Sequence, residues 1–244
     1  SGMEHAISKL KALLDKSRHI VFLGGAGVST ESGIPDFRSE KGIFSALERY
    51  GYPPETLLSY GFFTAEPELF YSYYRELLLY EHAKPNAAHF ALAALESKGK
   101  LDAVITQNID GLHQLAGSKN VLELHGSSLS NSCINCKRKY TINHILKQEG
   151  VPRCECGGII RPDIILYGEQ LNTAVLESAI SYIKDADLFV VGGTSLSVYP
   201  AAGLLHNASC KIVLINKSST AMDDLADLVI NAPIANVLKL CVAV

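Results

Sequence analysis

Six short apolar segments recur along the chain and constrain its fold more than any other feature. Most are continuous rather than alternating, which is typical of strands buried on both faces of a parallel sheet. They lie at 19–23, 103–105, 121–124, 188–191, 211–215 and 228–230. Helical periodicity occupies several of the intervals, as at 86–99 and 173–186. Strands that alternate with helices predict right-handed βαβ units in an α/β fold with a doubly wound parallel sheet.

Two stretches interrupt this alternation. Residues 39–85 are rich in aromatic residues and proline and have no strand pattern, so we predict a mostly helical insertion there. Residues 127–160 contain a cluster of cysteines. A chain of 244 residues, of which 48% are hydrophobic and 19% charged, is long and apolar enough for one large domain that carries a smaller insertion.

Charge, hydropathy and cysteine usage limit the partners and the compartment. The net charge of −3 gives no basic footprint for nucleic acid or for an anionic membrane surface. No apolar run approaches the roughly 20 residues that a membrane span requires, and we see no signal-peptide pattern. A secreted disulfide scaffold would be shorter and richer in cysteine. We therefore expect a cytoplasmic protein with reduced thiols.

A glycine-rich loop follows the first predicted strand, in the sequence VFLGGAGVSTESG. Gly25 and Gly27 would let the backbone approach a pyrophosphate closely, and we predict a helix start around residues 29–32 whose amides face that charge. The match to the dinucleotide-binding pattern is partial, because Thr30 stands where a third glycine would be expected. A tight turn without a ligand is the alternative.

The residues just beyond this loop favour a ligand. Pro35 and Asp36 predict a rigid turn, and Phe37 and Arg38 add an aromatic surface and a cation. For Phe37 alone, a position in the core is the alternative.

Polar side chains follow a second predicted strand, in the sequence TQNIDGLH at 106–113. A turn accounts for Asn108 and Asp110 but not for Gln107 beside them. In a parallel sheet the carboxyl ends of the strands are where ligands bind. His125 ends another strand at the same edge, so we predict a general base rather than the alternative, a structural histidine.

The clustered cysteines have a spacing close to that of a zinc ribbon. Two residues separate Cys133 from Cys136, whereas one residue separates Cys154 from Cys156, against the usual two. Four thiolates would complete a tetrahedron and leave no open position, so the predicted zinc site is structural. Reduced thiols or an eroded site are the alternatives.

Together these motifs resemble those of the sirtuins, a family of NAD-dependent protein lysine deacylases. The resemblance covers almost the full chain, and its motifs occur in family order. They are GAGVSTESGIPDFRS, TQNIDGLH, LHGS, the two cysteine pairs, RPDIILYGE and GGTSLSVYPAA. The resemblance implies a Rossmann-like NAD-binding domain from 3–38, 86–126 and 161–244. It also implies a small domain formed by a helical insertion, 39–85, and a zinc-binding module, 127–160.

The resemblance implies a role for each matching position. His125 would be the catalytic base, with Asn108 and Asp110 at the nicotinamide and its ribose. The NAD contacts would be Gly25, Ala26, Gly27, Thr30, Phe37, Arg38, Gln107, Asn108, Ile109, Asp110, Gly193, Thr194, Ser195 and Asn216. One structural Zn²⁺ would be bound by Cys133, Cys136, Cys154 and Cys156. Segments 166–169 and 197–200 would flank the substrate peptide, which adds a strand between them.

The implied activity is NAD-dependent deacetylation of acetyl-lysine in protein or peptide substrates, by an enzyme that we expect to be a monomer. The acyl oxygen would attack the ribose carbon as nicotinamide leaves, and His125 would then remove a proton from a ribose hydroxyl. Water would release lysine and O-acetyl-ADP-ribose. Two alternatives stay open, namely a mono-ADP-ribosyltransferase, which cleaves the same bond, and an NAD-binding sensor without chemistry.

The helical insertion bears on which acyl group is accepted. Family members that remove succinyl or malonyl groups carry a Tyr-x-x-Arg pair in the acyl pocket. In this chain Tyr71 and Tyr74 take those two positions. Arg75 lies one residue further, rotated by about 100° on a helix, and should face elsewhere. Both tyrosines could instead be core aromatics; in either case we expect no fixed cation in the acyl pocket.

Overall fold

The computed structural model describes residues 2–244, and its strands form two sheets. The strands are β1 (Ile20–Gly24), β2 (Leu101–Thr106), β3 (Val121–Glu123), β4 (Gly126–Cys133), β5 (Lys139–Thr141), β6 (Ile160–Ile164), β7 (Leu188–Gly192), β8 (Lys211–Ile215) and β9 (Leu228–Ile230). Six of them form one sheet in the order β3-β2-β1-β7-β8-β9, and every pair in it is parallel. The predicted α/β class, with its doubly wound sheet, is confirmed.

Helices cover both faces of this sheet. The helices of the chain are α1 (Gly2–Lys16), α2 (Glu40–Tyr50), α3 (Pro54–Leu57), α4 (Tyr60–Ala65), α5 (Pro67–Tyr73), α6 (Ala87–Ser97), α7 (Leu112–Leu115), α8 (Ile142–Lys147), α9 (Thr173–Asp185) and α10 (Ile234–Cys241). One face packs against α1, α6 and α10, and the other against α9. Within residues 2–244 we find no helix with the length and apolarity that a membrane crossing requires.

The central strands are buried on both faces, as their continuous apolar sequences predict. Along β1, Ile20 and Phe22 point into the core that contains α1, whereas Val21 and Leu23 point into the core that contains α9. This alternation follows from the two-residue period of a strand. All five residues of β1 and of β7 are buried.

The two interruptions of the sequence pattern share a third core. Helices α2 to α5 cover the first interruption, and a π-helical turn (Tyr74–Leu78) continues α5. Strands β5, β4 and β6 form the second sheet, which is antiparallel. Phe70 and Tyr73 from the helices are buried in the same cluster as Ile145, Ile160 and Cys133. The helical insertion and the cysteine module therefore form one smaller domain, as predicted.

The prediction of a helix start at residues 29–32 is wrong. The loop after β1 forms two short 3-10 turns, Ala26–Val28 and Thr30–Ser32. Gly33 then takes the left-handed conformation with φ of 88°. A helix cannot continue through that conformation, and the following Pro35 disfavours helical geometry at the residue before it.

Gly126 follows the predicted base, His125, and begins β4 of the second sheet, so its substitution tests this connection. Gly126 has φ of 78°, and an added Cβ would lie 2.1 Å from the Asp163 carbonyl oxygen. Gly51 also has φ of 78°, but its Cβ would meet no atom within 4 Å. We expect Gly51→Ala to lower the free energy of unfolding by about 1–2 kcal/mol. Gly126→Ala should lower it by about 1–3 kcal/mol more. Urea unfolding followed by circular dichroism measures both, and equal losses would contradict the predicted clash.

Candidate active site and zinc centre

The register of the large sheet brings the predicted site residues to one edge. Gly24 pairs with Thr106 on one side and with Gly192 on the other, and Gly192 pairs with Ile215. These residues end their strands, so the segments that follow them leave the sheet together. The edge also lies at the point where the strand order reverses direction, between β1 and β7. Such a switch point is the usual ligand crevice of a doubly wound sheet.

A cavity of about 550 Å³ opens at this edge, between the large sheet and the smaller domain. Its volume is in the range of pockets for small molecules and cofactors. The predicted site residues in its wall are Ala26, Phe37, Arg38, Gln107, Asn108, Ile109, Asp110 and His125. Another part of the wall is apolar and includes Leu77, Leu115, Leu129, Ile142 and Leu146.

Asn108 and Asp110 are fixed by a hydrogen-bond network that extends to the glycine loop. The Asn108 amide nitrogen donates to the Gly25 carbonyl oxygen over 2.9 Å, and to the Ser29 hydroxyl over 3.3 Å. Ser29 in turn donates to the Asp110 carboxylate at 2.6 Å. We did not predict Ser29 as a site residue. Its position within the GAGVST motif indicates a role at the loop, but the prediction of a helix start there concerned only its backbone N–H.

Gln107 connects three strand ends. Its backbone N–H donates to Gly24, and its side-chain oxygen accepts from the Thr194 hydroxyl at 2.8 Å. The backbone carbonyl oxygen of Gln107 lies 2.9 Å from Nδ1 of His125. Since a carbonyl oxygen can only accept, Nδ1 carries the hydrogen, and Nε2 of the neutral ring has the lone pair that can accept a proton.

The surroundings of His125 favour its neutral form. Burial lowers the pKa of His125 below its ordinary value of 6.5, and the positive charge of Arg38 lowers it further. The hydrogen bond to Gln107 acts in the opposite direction. A neutral imidazole at physiological pH is what a general base requires.

Two further histidines form a buried pair that the sequence did not single out. The ring centroids of His89 and His113 lie 4.8 Å apart, and both side chains are buried. Burial lowers the pKa of His89 to about 4 and that of His113 to about 3, so both are neutral at physiological pH. His113 belongs to α7, which begins at the residue whose N–H donates to Asp110.

The remaining predicted NAD contacts are not part of the cavity wall, although most of them follow strands that end at the same sheet edge. Gly27 donates to the Gly193 carbonyl oxygen at 2.7 Å, which brings two of these positions together. Thr30 donates to the Gly27 carbonyl oxygen, and Ser195 is exposed beside Ser197. Asn216 follows β8, and its side chain donates to Ser218.

The two tyrosines that match the acyl-pocket pair of the family are core residues, which is the alternative given above. Tyr71 and Tyr74 are fully buried in the smaller domain, and neither contributes to the cavity wall. The Tyr71 hydroxyl donates to the Ile160 carbonyl oxygen, which fixes the ring away from the cavity. Arg75 faces elsewhere, as predicted, and donates to the carbonyl oxygens of Ile145 and Gly150. Among residues 2–244, Arg38 is the only lysine or arginine that lines the cavity.

The four clustered cysteines converge as a zinc site requires. Their sulfur atoms all lie within 4.8 Å of one another, and the Cys133–Cys156 and Cys136–Cys154 sulfurs are 3.5 Å apart. Sulfurs on a tetrahedral zinc ion lie about 3.8 Å apart, given the Zn–S bond length. The four thiols therefore fit a structural zinc ion, and the one-residue gap in the second pair does not keep them apart.

Hydrogen bonds from neighbouring groups lower the pKa of the Cys133 and Cys154 thiols, whereas the sulfurs of Cys133 and Cys154 raise the pKa of Cys156 to about 11. The Tyr140 hydroxyl donates to the Cys154 sulfur at 3.0 Å and lowers the pKa of Cys154 to about 6. The backbone N–H of Cys136 donates to the Cys133 sulfur at 3.4 Å. A Cβ at position 158 would lie 2.7 Å from that same sulfur, so Gly158 provides the space that it occupies.

Comparison with known proteins identifies the family. The model of the Sir2 family matches residues 25–200. An NAD-dependent protein deacetylase of Clostridium perfringens is 54% identical over 239 residues, which are 97% of this chain and 98% of the relative. The chain belongs to the Sir2 family. A second relative of the same name, from Clostridium acetobutylicum, is 52% identical over 236 residues, 96% of each chain.

Solved Sir2 structures share the fold. A structure of Sir2 with a p53 peptide and NAD⁺ has a TM-score of 0.84 and 41% identity, and covers 96% of this chain and 95% of that one. Another, with a deacetylated p53 peptide and 3′-O-acetyl ADP ribose, has a TM-score of 0.87 and 42% identity, and covers 96% of both. The predicted sirtuin architecture, a Rossmann-like domain with a smaller domain, is confirmed.

The metal content of this Sir2 protein tests the zinc site. We expect one zinc ion per chain in protein purified without chelator, because the four thiols are already close together. Cys136→Ser should lose most of the zinc and unfold at lower temperature, since metal binding stabilises a module of this size. Cys210→Ser, which lies outside the cluster, should retain the zinc content and the unfolding temperature of the wild type. Elemental analysis and thermal unfolding measure these changes, and wild-type protein without zinc would contradict the prediction.

Proposed function

We propose that this Sir2 protein is an NAD-dependent protein lysine deacetylase that releases nicotinamide and O-acetyl-ADP-ribose. One observation carries the proposal. A neutral, partly buried His125, with Nε2 free to accept a proton, lines the same cavity as the fixed side chains of Asn108 and Asp110. Relatives at 43–54% identity are named NAD-dependent protein deacetylases, which agrees with this assignment.

The proposed catalytic base is His125. The Gln107 carbonyl oxygen holds the Nδ1–H tautomer and directs the ring, so Nε2 is the atom that takes a proton from a ribose hydroxyl. Because burial disfavours the imidazolium, the ring remains available as a base under neutral conditions.

The polar end of the cavity suits the nicotinamide end of NAD. NAD would supply the ribose carbon that the acyl oxygen attacks as nicotinamide leaves, and the ribose hydroxyl that receives the acetyl group. Asp110 is proposed to face the carboxamide, and Asn108 the ribose. Ser29 and the Gly25 carbonyl oxygen keep both side chains in place. Side chains that are fixed before the ligand binds lose little entropy on binding.

The rest of the dinucleotide is proposed to follow the glycine loop across the sheet edge. Residues 25–27 and 193–195 would contact phosphate and ribose through backbone and hydroxyl groups, and Asn216 the adenosine ribose. The hydrogen bond between Gly27 and Gly193 places these two loops side by side. Phe37 and Arg38 would lie over the reacting end, and Thr30 beside the path.

The proposed macromolecular partner is a protein or peptide that contains acetyl-lysine. Sir2 structures with p53 peptides and with an acetylated peptide support this class of partner. Residues 166–169 and 198–199 contribute to the cavity wall, which agrees with a peptide between the two segments. The domain boundaries, the monomeric state, the lack of a nucleic-acid partner and the cytoplasmic location remain predictions.

The products distinguish deacetylation from its two alternatives. Incubation with NAD and an acetyl-lysine peptide should yield nicotinamide, O-acetyl-ADP-ribose and a peptide that has lost the acetyl group, as detected by mass spectrometry. A mono-ADP-ribosyltransferase would yield a peptide that has gained ADP-ribose. A sensor would yield no nicotinamide. Either of those outcomes would contradict the proposal.

Replacement of the proposed base tests its place in the reaction. His125→Ala should lower the deacetylation rate by at least ~10²-fold, the usual contribution of a positioned general base. Exchange of labelled nicotinamide should survive better, because His125 acts after the glycosidic bond has broken. His5→Ala, on the exposed surface of α1, should change neither rate. Equal losses of the two reactions in His125→Ala would refute the assigned role.

Charge in the acyl group should decide which peptides react. A succinyl carboxylate would lose hydration without gaining a bidentate partner, since Arg75 is bound to carbonyl oxygens elsewhere and Arg38 is proposed to lie at the reacting end of NAD. We expect kcat/KM for acetyl-lysine to exceed that for succinyl-lysine by more than ~100-fold, or about 2.7 kcal/mol.

A butyryl peptide is the matched control for this comparison, because it has the length of succinyl without its charge. Butyryl-lysine should react much faster than succinyl-lysine, and Arg75→Gln should leave the ratio unchanged. Comparable rates for acetyl and succinyl peptides would show that a cation reaches the acyl group. Equal reductions of kcat/KM for butyryl-lysine and succinyl-lysine, relative to acetyl-lysine, would show that acyl length rather than charge sets the selectivity.

A further inference from the structure

The segment 165–169, which follows β6, is bonded on two sides. The Ile165 N–H donates to the His125 carbonyl oxygen at 2.9 Å, which joins the segment to the connection between β3 of the large sheet and β4. The Tyr167 N–H donates to the Leu58 carbonyl oxygen at 2.9 Å, and the Tyr60 N–H donates to that of Tyr167 at 3.0 Å. The segment therefore spans both domains while it lines the cavity.

Arg161 closes this segment into a loop. Nη1 and Nη2 of Arg161 each donate to one oxygen of the Glu169 carboxylate at 2.8 Å. Nη2 also donates to the Ile164 carbonyl oxygen at 2.9 Å, and Nε donates to that of Pro162 at 3.1 Å. The guanidinium lies 5.9 Å from the centre of the Tyr60 ring. One planar cation thus connects both ends of the segment and the helical insertion.

The Glu169 carboxylate extends the same arrangement to the backbone. Its Oε1 accepts from the Leu166 N–H at 3.0 Å, and the Glu169 N–H donates to the Leu166 carbonyl oxygen at 3.0 Å. The side chains of Arg161 and Glu169 are 20% and 24% exposed, so solvent screens this pair less than an ion pair on the surface. The bidentate geometry is specific to arginine, because a lysine ammonium cannot form the fork.

We propose that Arg161 is a positioning residue for the acylated peptide. Arg161 is not part of the cavity wall, whereas the segment that it closes is. Its function would be to hold 165–169 in its observed form, which ends in a turn at Gly168, so that a peptide backbone can pair with the segment. This inference rests on the proposed deacetylase function and adds to it a residue that sets affinity for the peptide.

The effect of Arg161 should be confined to the peptide. The residues proposed to bind NAD follow β1, β2, β7 and β8, and none of them is a hydrogen-bond partner of the Arg161 guanidinium. The His125 ring is held by the Gln107 carbonyl oxygen, which is not among the hydrogen-bond partners of Arg161. Loss of the fork should therefore weaken peptide binding and leave the chemistry in place.

Steady-state kinetics of Arg161→Lys test the proposal. We expect the KM for an acetyl-lysine peptide to rise ~10-fold or more, while kcat and the KM for NAD stay within ~3-fold of wild type. Arg49→Lys is the matched control, since Arg49 forms an exposed ion pair with Glu76 in the helical insertion. That control should change none of the three constants.

Glu169→Gln provides a second test that does not require replacing the cation. It should raise the peptide KM in the same way, and the double variant should be little worse than either single one, because the two residues act through one fork. The proposal is overturned if the wild type is active and both Arg161→Lys and Glu169→Gln keep the wild-type KM for the peptide. It is also overturned if both variants lose kcat while their peptide KM stays unchanged. A wild type that turns over no acetylated peptide contradicts the proposed function instead.

Discussion

The parallel pairing of β1 with β2 and β7 is the contact on which the rest of the structure depends. It sets Gly24 level with Thr106 and Gly192, so the segments after them leave the sheet at one edge. Gln107 then bonds to Gly24 and Thr194 and supplies the carbonyl oxygen that directs His125. A shift of one residue in this register would turn alternate side chains to the other face and separate these groups.

The second constraint is the close approach of the loops at that edge. A Cβ on Gly27 would lie 2.7 Å from the Gly193 Cα, and a Cβ on Gly25 would lie 2.7 Å from the Gln107 side chain. The loops can meet only because these positions carry no side chain. The loop that makes this contact after β1 consists of short 3-10 turns rather than the predicted helix.

The sequence predicts the sheet and its polar edge because those features depend on local pattern. Continuous apolar segments indicated all six strands, and the strand ends then indicated where Gln107, Asn108 and His125 would gather. Side-chain direction in the helical insertion could not be predicted in this way. Tyr71 turns into the core because it bonds to Ile160, 89 residues away in the chain. Ser29 was missed for the same reason, since its partner Asp110 lies 81 residues further on.

The sheet edge holds His125 as a neutral base, and the pH dependence of kcat/KM tests this role most directly. A base acts when it is unprotonated, so the rate should fall as the pH decreases through the pKa of His125. Burial lowers that pKa below 6.5, so the acidic limb should lie below pH 6.5 and activity should persist at pH 6.5 and above. An acidic limb centred above pH 6.5, or a rate that does not fall in acid, would contradict this role.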